Sequence, residues 1–473
     1  MGTYLNPSNE GFATSIRSEI WVDKTGLIAY TNKVLRTKQK YACVSRPRRF
    51  GKTVAAEMLM AYYGRACDSK ALFSGLASAG HPDFETHLNQ YNVIFLNMQP
   101  FLSKTDNMTK FVGYLTKKVL AEFEKAYPAL QSAGCECLTD ALEAVFNEAE
   151  TPFVFIIDEW DCVFREYRND EKAQEAYLDF LRDLLKDRPY VALAYITGIL
   201  PIKKYGTHSA LNMFDEFSMT DPGPLAQYAG FTHDEVRRLC EAYQMDYDEM
   251  AHWYNGYRFP DIPAVYCPQS VTAALLKKRF NTYWTKTETY EALKIYAELN
   301  YKGLKDAIVR LLAGGKEKID TRTFTNDMVT FASSDDVLTL LIHLGYLGYD
   351  QDTGEVFIPN KEIAGEFVSA MRGAGWHEVI RAVNASDDLL RATWRGDSEA
   401  VARYIEAAHD ETSHLAYNDE NALAYTVSLA YYSAREYYTI IREMPADKGY
   451  ADMVFLPRKA HVNKPAMLVE LQY

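Results

Sequence analysis

The chain has 473 residues, more than one ordinary hydrophobic core uses and enough for about two to four domains. Apolar residues are 48% and charged residues 24%, which excludes a wholly disordered, collagen-like or low-complexity chain. Lys and Arg number 51 against 64 Asp and Glu, a net charge of −13, so sequence-independent gripping of phosphate backbones is not expected of the whole; nucleic-acid contact would need a local patch or a bound cation.

No apolar run approaches the roughly 18 residues of a membrane span, so no membrane partner is expected. Residues 1–10 lack the basic-then-apolar order of a secretory signal, and a cytoplasmic location follows as the expectation. The seven cysteines (Cys43, Cys67, Cys135, Cys137, Cys162, Cys240 and Cys267) are odd in number and scattered, unlike a disulfide framework. Cys135 and Cys137 have no second Cys or His pair at zinc-like spacing, so the thiols read as buried or idle. The 34 tyrosines point to a Tyr-rich core and interface before base stacking.

In chain order, short apolar runs at 41–45, 93–97, 153–157 and 191–197 alternate with helical patterns at 53–63, 108–127 and 171–185. Continuous apolar strands separated by helices predict a parallel sheet covered on both faces. From about 232 the pattern turns helical: 232–243, 246–254, 271–280, 287–299 and 303–313, with a turn cluster at 255–260. A helix at 335–344 followed by 346–350, a turn, and 356–359 outlines a winged-helix unit. Helices are then expected at 363–372, 376–382, 389–394, 398–407 and 420–434, and strands at 452–456 and 466–471. No internal repeat is visible.

Two segments carry chemistry. Arg46-Pro47-Arg48-Arg49-Phe50-Gly51-Lys52-Thr53 follows the first strand and opens a helix, the setting of a P-loop. There backbone N–H groups and the helix N-terminus cradle phosphates, Lys52 would reach the β and γ phosphates, and the Thr53 hydroxyl would ligate Mg²⁺. Arg46 stands where the usual pattern has its first Gly. The run 153–157 ends in Asp158-Glu159, the outline of a Walker B strand: Asp158 to hold Mg²⁺, Glu159 to orient the attacking water. Thr197, closing the fourth strand, is either a sensor of the γ phosphate or a simple strand-ending Thr.

Val22-Asp23-Lys24-Thr25, Arg46 to Thr53, the Asp158-Glu159 strand, Thr197-Gly198 and Trp253-Tyr254-Asn255-Gly256-Tyr257-Arg258 together resemble the AAA-ATPase-like family of bacterial proteins. In that family the P-loop itself reads Arg-Pro-Arg-Arg-Phe-Gly-Lys, and a C-terminal PD-(D/E)XK nuclease-like domain is common. The resemblance implies ATP and Mg²⁺ as cofactors and spans nearly the whole chain. Arg46, Arg48 and Arg49 either stabilise transition-state charge or pair with acids and shape the loop. Asp23 and Lys24 read as a structural salt bridge, and Arg258 is a candidate lid arginine. Many ATPases of this class complete their sites between subunits, so a homo-oligomer is one expectation; arginines acting in cis are the other.

The resemblance also singles out three acids near the end. Glu420 is expected to start a helix, Asp452 to open a strand and Glu470 to lie in the next strand; Asp452 and Glu470 would bind Mg²⁺. The Lys that such enzymes carry two residues later is Gln472 here, and the tail reads as truncated or degenerate. From Gly375 on, 10 Lys and Arg face 15 Asp and Glu, a poor balance for gripping DNA unaided.

The fold class expected is therefore α/β: a P-loop NTPase parallel sheet over residues 1–230, a helical lid and winged-helix-like region over 231–374, and a smaller PD-(D/E)XK-type domain over 375–473, incomplete at its C-terminus. The function expected is ATP binding and hydrolysis coupled to a nuclease-like effector acting on DNA or RNA. The alternative is a nucleotide-dependent switch or scaffold whose nuclease-like domain is inactive and only binds nucleic acid or protein.

Overall fold

The computed structural model describes residues 2–129, 135, 137–202, 211–284, 293–296, 298–299, 301–326, 328–412, 420–446 and 449–471. Contacts divide the chain into two units, Met1–Tyr283 with Asp320–Asp352, and Trp284–Ile319 with Thr353–Tyr473. These units differ from the expected boundaries at 230 and 374. Residues 231–283 close onto the parallel-sheet unit, because Phe50 at the loop tip accepts a hydrogen bond from the Gly230 N–H (2.9 Å) and packs its ring on Tyr257.

The first unit is built on five parallel strands: β1 (Tyr41–Ser45), β2 (Asn92–Asn97), β3 (Phe153–Asp158), β4 (Val191–Gly198) and β5 (Asp215–Phe217), in the order β2-β3-β4-β1-β5. Every residue of β1, β3 and β4 is buried, as strands covered on both faces must be. One face packs against α1 (Glu10–Ile16), α2 (Leu27–Val34) and α3 (Lys52–Tyr63); Phe12, Ile28, Leu59 and Tyr63 join Val44, Val93, Val154 and Tyr195 in one cluster. On the other face Phe123 of helix Met108–Ala126 meets Phe153.

Register decides what the sheet presents. Ser45 lies opposite Gly198, Thr197 opposite Asp158, and Asp158 opposite Asn97. The carboxyl ends of four strands are therefore level, forming the edge at which open parallel sheets bind ligands.

A small antiparallel sheet follows in the same unit: β6 (Phe231–Thr232) and β7 (Tyr257–Phe259) each pair with β8 (Ile262–Tyr266). β7 falls in the segment expected to be only a turn. Tyr257 and Phe259 are buried while Arg258 is exposed, an alternation too short to outweigh the flanking Gly and Pro. Helix His233–Tyr243 begins with a capping box between Thr232 and Glu235. Helix Ser334–Leu344 and strand Gly348–Asp350 also belong to this unit.

The second unit holds helices Leu304–Leu312, Lys361–Gly373, His377–Arg395, Ser398–Thr412 and Glu420–Ala430. Strand Glu355–Phe357 pairs with Glu317–Lys318. An antiparallel sheet orders Tyr438–Ala446, Gly449–Pro457 and Met467–Val469. A single helix, His377–Arg395, replaces the two expected, and the strand Tyr438–Ala446 was not expected. Most of the helix expected at 287–299 lies outside the described residues. Among the described residues, no helix is long and apolar enough to cross a membrane.

Candidate nucleotide site at the carboxyl edge of the parallel sheet

The loop between β1 and α3 turns on two left-handed residues, Arg49 (φ 70°) and Gly51 (φ 87°). Gly51 is the N-cap of α3 and has no side chain with which to cap it. The first N–H groups of a helix have no intrahelical partner, so they face the loop's concavity together with the positive end of the helix dipole.

Lys52 is buried, and its Nζ donates to the Arg46 and Pro47 carbonyls at 2.9 Å each, spanning the loop from inside. Burial lowers its pKa, opposed by the nearby carboxylates of Glu159, Asp158 and Asp161. The Thr53 hydroxyl donates to Asp158 Oδ2 at 2.8 Å. That bond joins the first turn of α3 to the end of β3 and brings together two residues 105 apart in sequence. Burial raises the Asp158 pKa, while the Thr53 bond and Lys52 counter it.

Glu159 leaves β3 in the left-handed region (φ 53°), with its carboxylate paired to Arg165. Burial pushes its pKa up; Arg165 pulls it down. Thr197 is wholly buried at the end of β4, and its hydroxyl has no hydrogen-bond partner among the described residues. An orphaned hydroxyl in that position fits a polar group supplied by a ligand.

The loop arginines behave differently from one another. Arg46 is fully buried; Nη1 donates to the Ser45 (2.9 Å) and Phe217 (2.8 Å) carbonyls, and the guanidinium stacks over Phe259 at 5.2 Å. Its Nε and Nη2 have no partner among the described residues, and burial lowers its pKa to about 10. It braces β5 and β7 around the loop base. Arg49 donates to the Tyr283 carbonyl at 2.9 Å, and Arg48 is half-buried. Pro47 and Phe50 are buried. Lys24 pairs with Glu235 (2.6 Å) and donates to the Gln227 carbonyl, while Asp23 caps the Thr25 and Ala77 N–H groups, so both hold structure together. Arg258 pairs with Asp350 at 3.2 Å.

Sequence reasoning missed Arg165 and Asp161. Their signal was available: an Asp and an Arg four apart at the start of a helix, directly after the Asp-Glu pair.

In the second unit, Met453 lies opposite Val469 at the end of the pairing, so Asp452 is within its strand one residue before that pairing begins, and Glu470 falls one residue beyond its strand. The sequence placed Asp452 at the strand's start and Glu470 inside the next. The difference arises because the pairing extends only from Met453 to Phe455. Asp452 Oδ2 accepts from the Leu471 N–H at 2.6 Å, and Glu470 is exposed. Glu420 begins its helix, and Gln472 lies outside the described residues. Among the described residues, no group of three or more His, Cys, Asp or Glu is arranged to hold a metal ion.

One comparison with known proteins falls within the first unit. A family model described as predicted AAA-ATPase matches residues 11–207. An uncharacterized protein in the vnfD 5' region of Azotobacter chroococcum mcd 1 is 25% identical over 283 residues, covering 57% of this chain and 51% of that protein. The chain thus spans about half the length of this curated relative. Among solved structures, the chain is similar to the Aeropyrum pernix ORC2 protein in its ADPNP-ADP complexes (10% identity, 77% of this chain and 98% of that one, TM-score 0.32). It is also similar to Cdc6p from Pyrobaculum aerophilum (12% identity, 78% and 99%, TM-score 0.26).

Proposed function

We propose that the first unit binds ATP with Mg²⁺ and hydrolyses it. The observation that carries this reading is the Thr53–Asp158 hydrogen bond, which places a hydroxyl and a carboxylate together where the P-loop helix meets the end of β3. Thr53 and Asp158 would hold Mg²⁺, and Lys52 would transfer its ammonium from the Arg46 and Pro47 carbonyls to phosphate oxygens. Held there, Mg²⁺ would supply neutralisation of the charge developing on the transferring phosphoryl group. Glu159 orients the attacking water and accepts its proton; Thr197 offers its hydroxyl to the terminal phosphate. Gly51 and the open N-terminus of α3 leave room for the phosphates beside backbone N–H groups.

The test uses calorimetry and turnover. Lys52→Ala should abolish measurable ATP binding, and unchanged affinity would refute the P-loop assignment. Glu159→Gln should keep binding and lose turnover by roughly 10²-fold or more, the scale of a positioned general base.

For the tail we infer a nuclease-like effector from Asp452, in strand Gly449–Pro457, and Glu470, just past strand Met467–Val469, whose neighbour Leu471 donates its N–H to Asp452 Oδ2. Plasmid nicking with Mg²⁺ or Mn²⁺ tests it: cleavage that Asp452→Ala abolishes supports the effector, and cleavage that survives the substitution removes these acids. In the alternative, the tail only binds nucleic acid or protein, and Asp452 keeps the Leu471 N–H as a structural partner.

A further inference from the structure

Glu159 takes a left-handed backbone conformation that is costly for a non-glycine residue, so its surroundings must over-determine it. The carboxylate is held by Arg165, from the short helix Cys162–Glu166 that follows. Arg165 is itself buried, with Nε 3.5 Å from Asp161 Oδ2 and an Nη2 contact at 3.5 Å to Gln99 Oε1, just beyond β2. Asp161 is wholly buried, and its Oδ2 accepts from the N–H groups of Ile199 (3.0 Å) and Leu200 (2.9 Å), the two residues after β4. Gly198 permits this approach, because a Cβ there would lie 2.7 Å from Asp161 Oδ1 and 2.8 Å from the Trp160 ring. A continuous path of contacts therefore runs from the exit of β4 through Asp161 and Arg165 to Glu159.

We propose that Arg165 is a positioning residue for Glu159, fixing its carboxylate over the sheet edge, and that Asp161 ties this position to the β4 segment carrying Thr197. The inference rests on the assignment of Glu159 as the group that orients water. Neutralising Asp161 alone would not require Arg165 to reach Glu159, whose side chain keeps a quarter of its surface exposed and has solvent to turn towards. A guanidinium can engage two carboxylates at once through its planar fork, whereas the point charge of Lys cannot reproduce that geometry.

The experiment compares the full chain with Arg165→Lys, Arg165→Met, Glu159→Gln and the Arg165→Met/Glu159→Gln double variant. Single-turnover ATP hydrolysis is measured, and nucleotide affinity separately by calorimetry. Arg165→Met should lower the rate about 10- to 100-fold at unchanged affinity, the scale of a misplaced reacting group. Arg165→Lys, which keeps the buried charge and guards against simple misfolding, should recover only part of the rate. In the double variant the Arg165 change should add nothing to the loss from Glu159→Gln, because Arg165 acts through that carboxylate. An additive loss, a wild-type rate in Arg165→Met, or a rate raised by Arg165→Lys would overturn the proposal. Normal hydrolysis by Glu159→Gln would instead overturn the assignment of Glu159, and an inactive wild-type chain would remove the reaction and this inference together.

Discussion

Gly198→Ala tests how tightly the end of β4 is packed against the loop after β3. The added methyl would sit 2.7 Å from Asp161 Oδ1 and 2.8 Å from both Trp160 Cδ1 and Nε1, whereas carbon prefers neighbours at about 3.5–4.0 Å. Relief needs a displacement of about 0.7 Å or more. Neither neighbour yields easily: Trp160 is wholly buried and its carbonyl accepts from Tyr177 (2.7 Å), while Asp161 is pinned by two backbone N–H groups. Overpacking of this kind costs about 1–3 kcal/mol, more than the 0.4–1 kcal/mol that a Gly→Ala change contributes through the unfolded chain. The net expectation is a destabilisation of about 1–2 kcal/mol. Gly113 is the control. It lies in helix Met108–Ala126, where an added methyl would meet nothing within 4 Å, so Gly113→Ala should stabilise by about 0.5–1 kcal/mol. Urea denaturation of both variants reads the signs. A Gly198→Ala protein as stable as wild type would refute the close packing on which the Asp161 contact depends.

Arg46→Met should leave unfolding stability without nucleotide within about 2 kcal/mol of wild type, although the site is fully buried, because removing an unmatched buried charge offsets two lost hydrogen bonds. A loss above about 4 kcal/mol in urea melts would contradict this. Glu235→Ala should destabilise by about 3 kcal/mol or more, because it strands the largely buried Lys24 ammonium and removes half of a capping box; thermal melts against Glu235→Gln check it. Asp170→Ala should cost about 1 kcal/mol in the same assay, through the Ala173 N–H that its carboxylate accepts at the start of helix Glu171–Leu185.

The parts of this protein legible in its sequence are those governed by neighbours along the chain. β1, β3 and β4 are buried on both faces, so they read as unbroken apolar runs. The Gly51-Lys52-Thr53 turn and the Asp158-Glu159 ending needed only their adjoining strands to be located. Strand β5 was hidden because two of its three residues are exposed acids, and only pairing with β1 makes it a strand. Strand Tyr438–Ala446 was hidden because the adjacent Ile440 and Ile441 and the later Pro445 give no alternation, and only its pairing with Gly449–Pro457 makes it a strand. Helix His377–Arg395 runs unbroken through Asn384, Asp387 and Asp388, which are poor helix formers. Its end is held by distant partners: Thr393 bonds Tyr431, and Trp394 bonds Tyr438. At the site, the chain alone determined which residues stand in the loop and at the strand ends. The tertiary structure decided their partners. It buried Arg46 between β5 and β7, bonded Thr53 to Asp158, and set Arg165 between Asp161 and Glu159. Backbone periodicity is a local property, but the meeting of a cation with a carboxylate depends on strand order and register, which long-range packing sets.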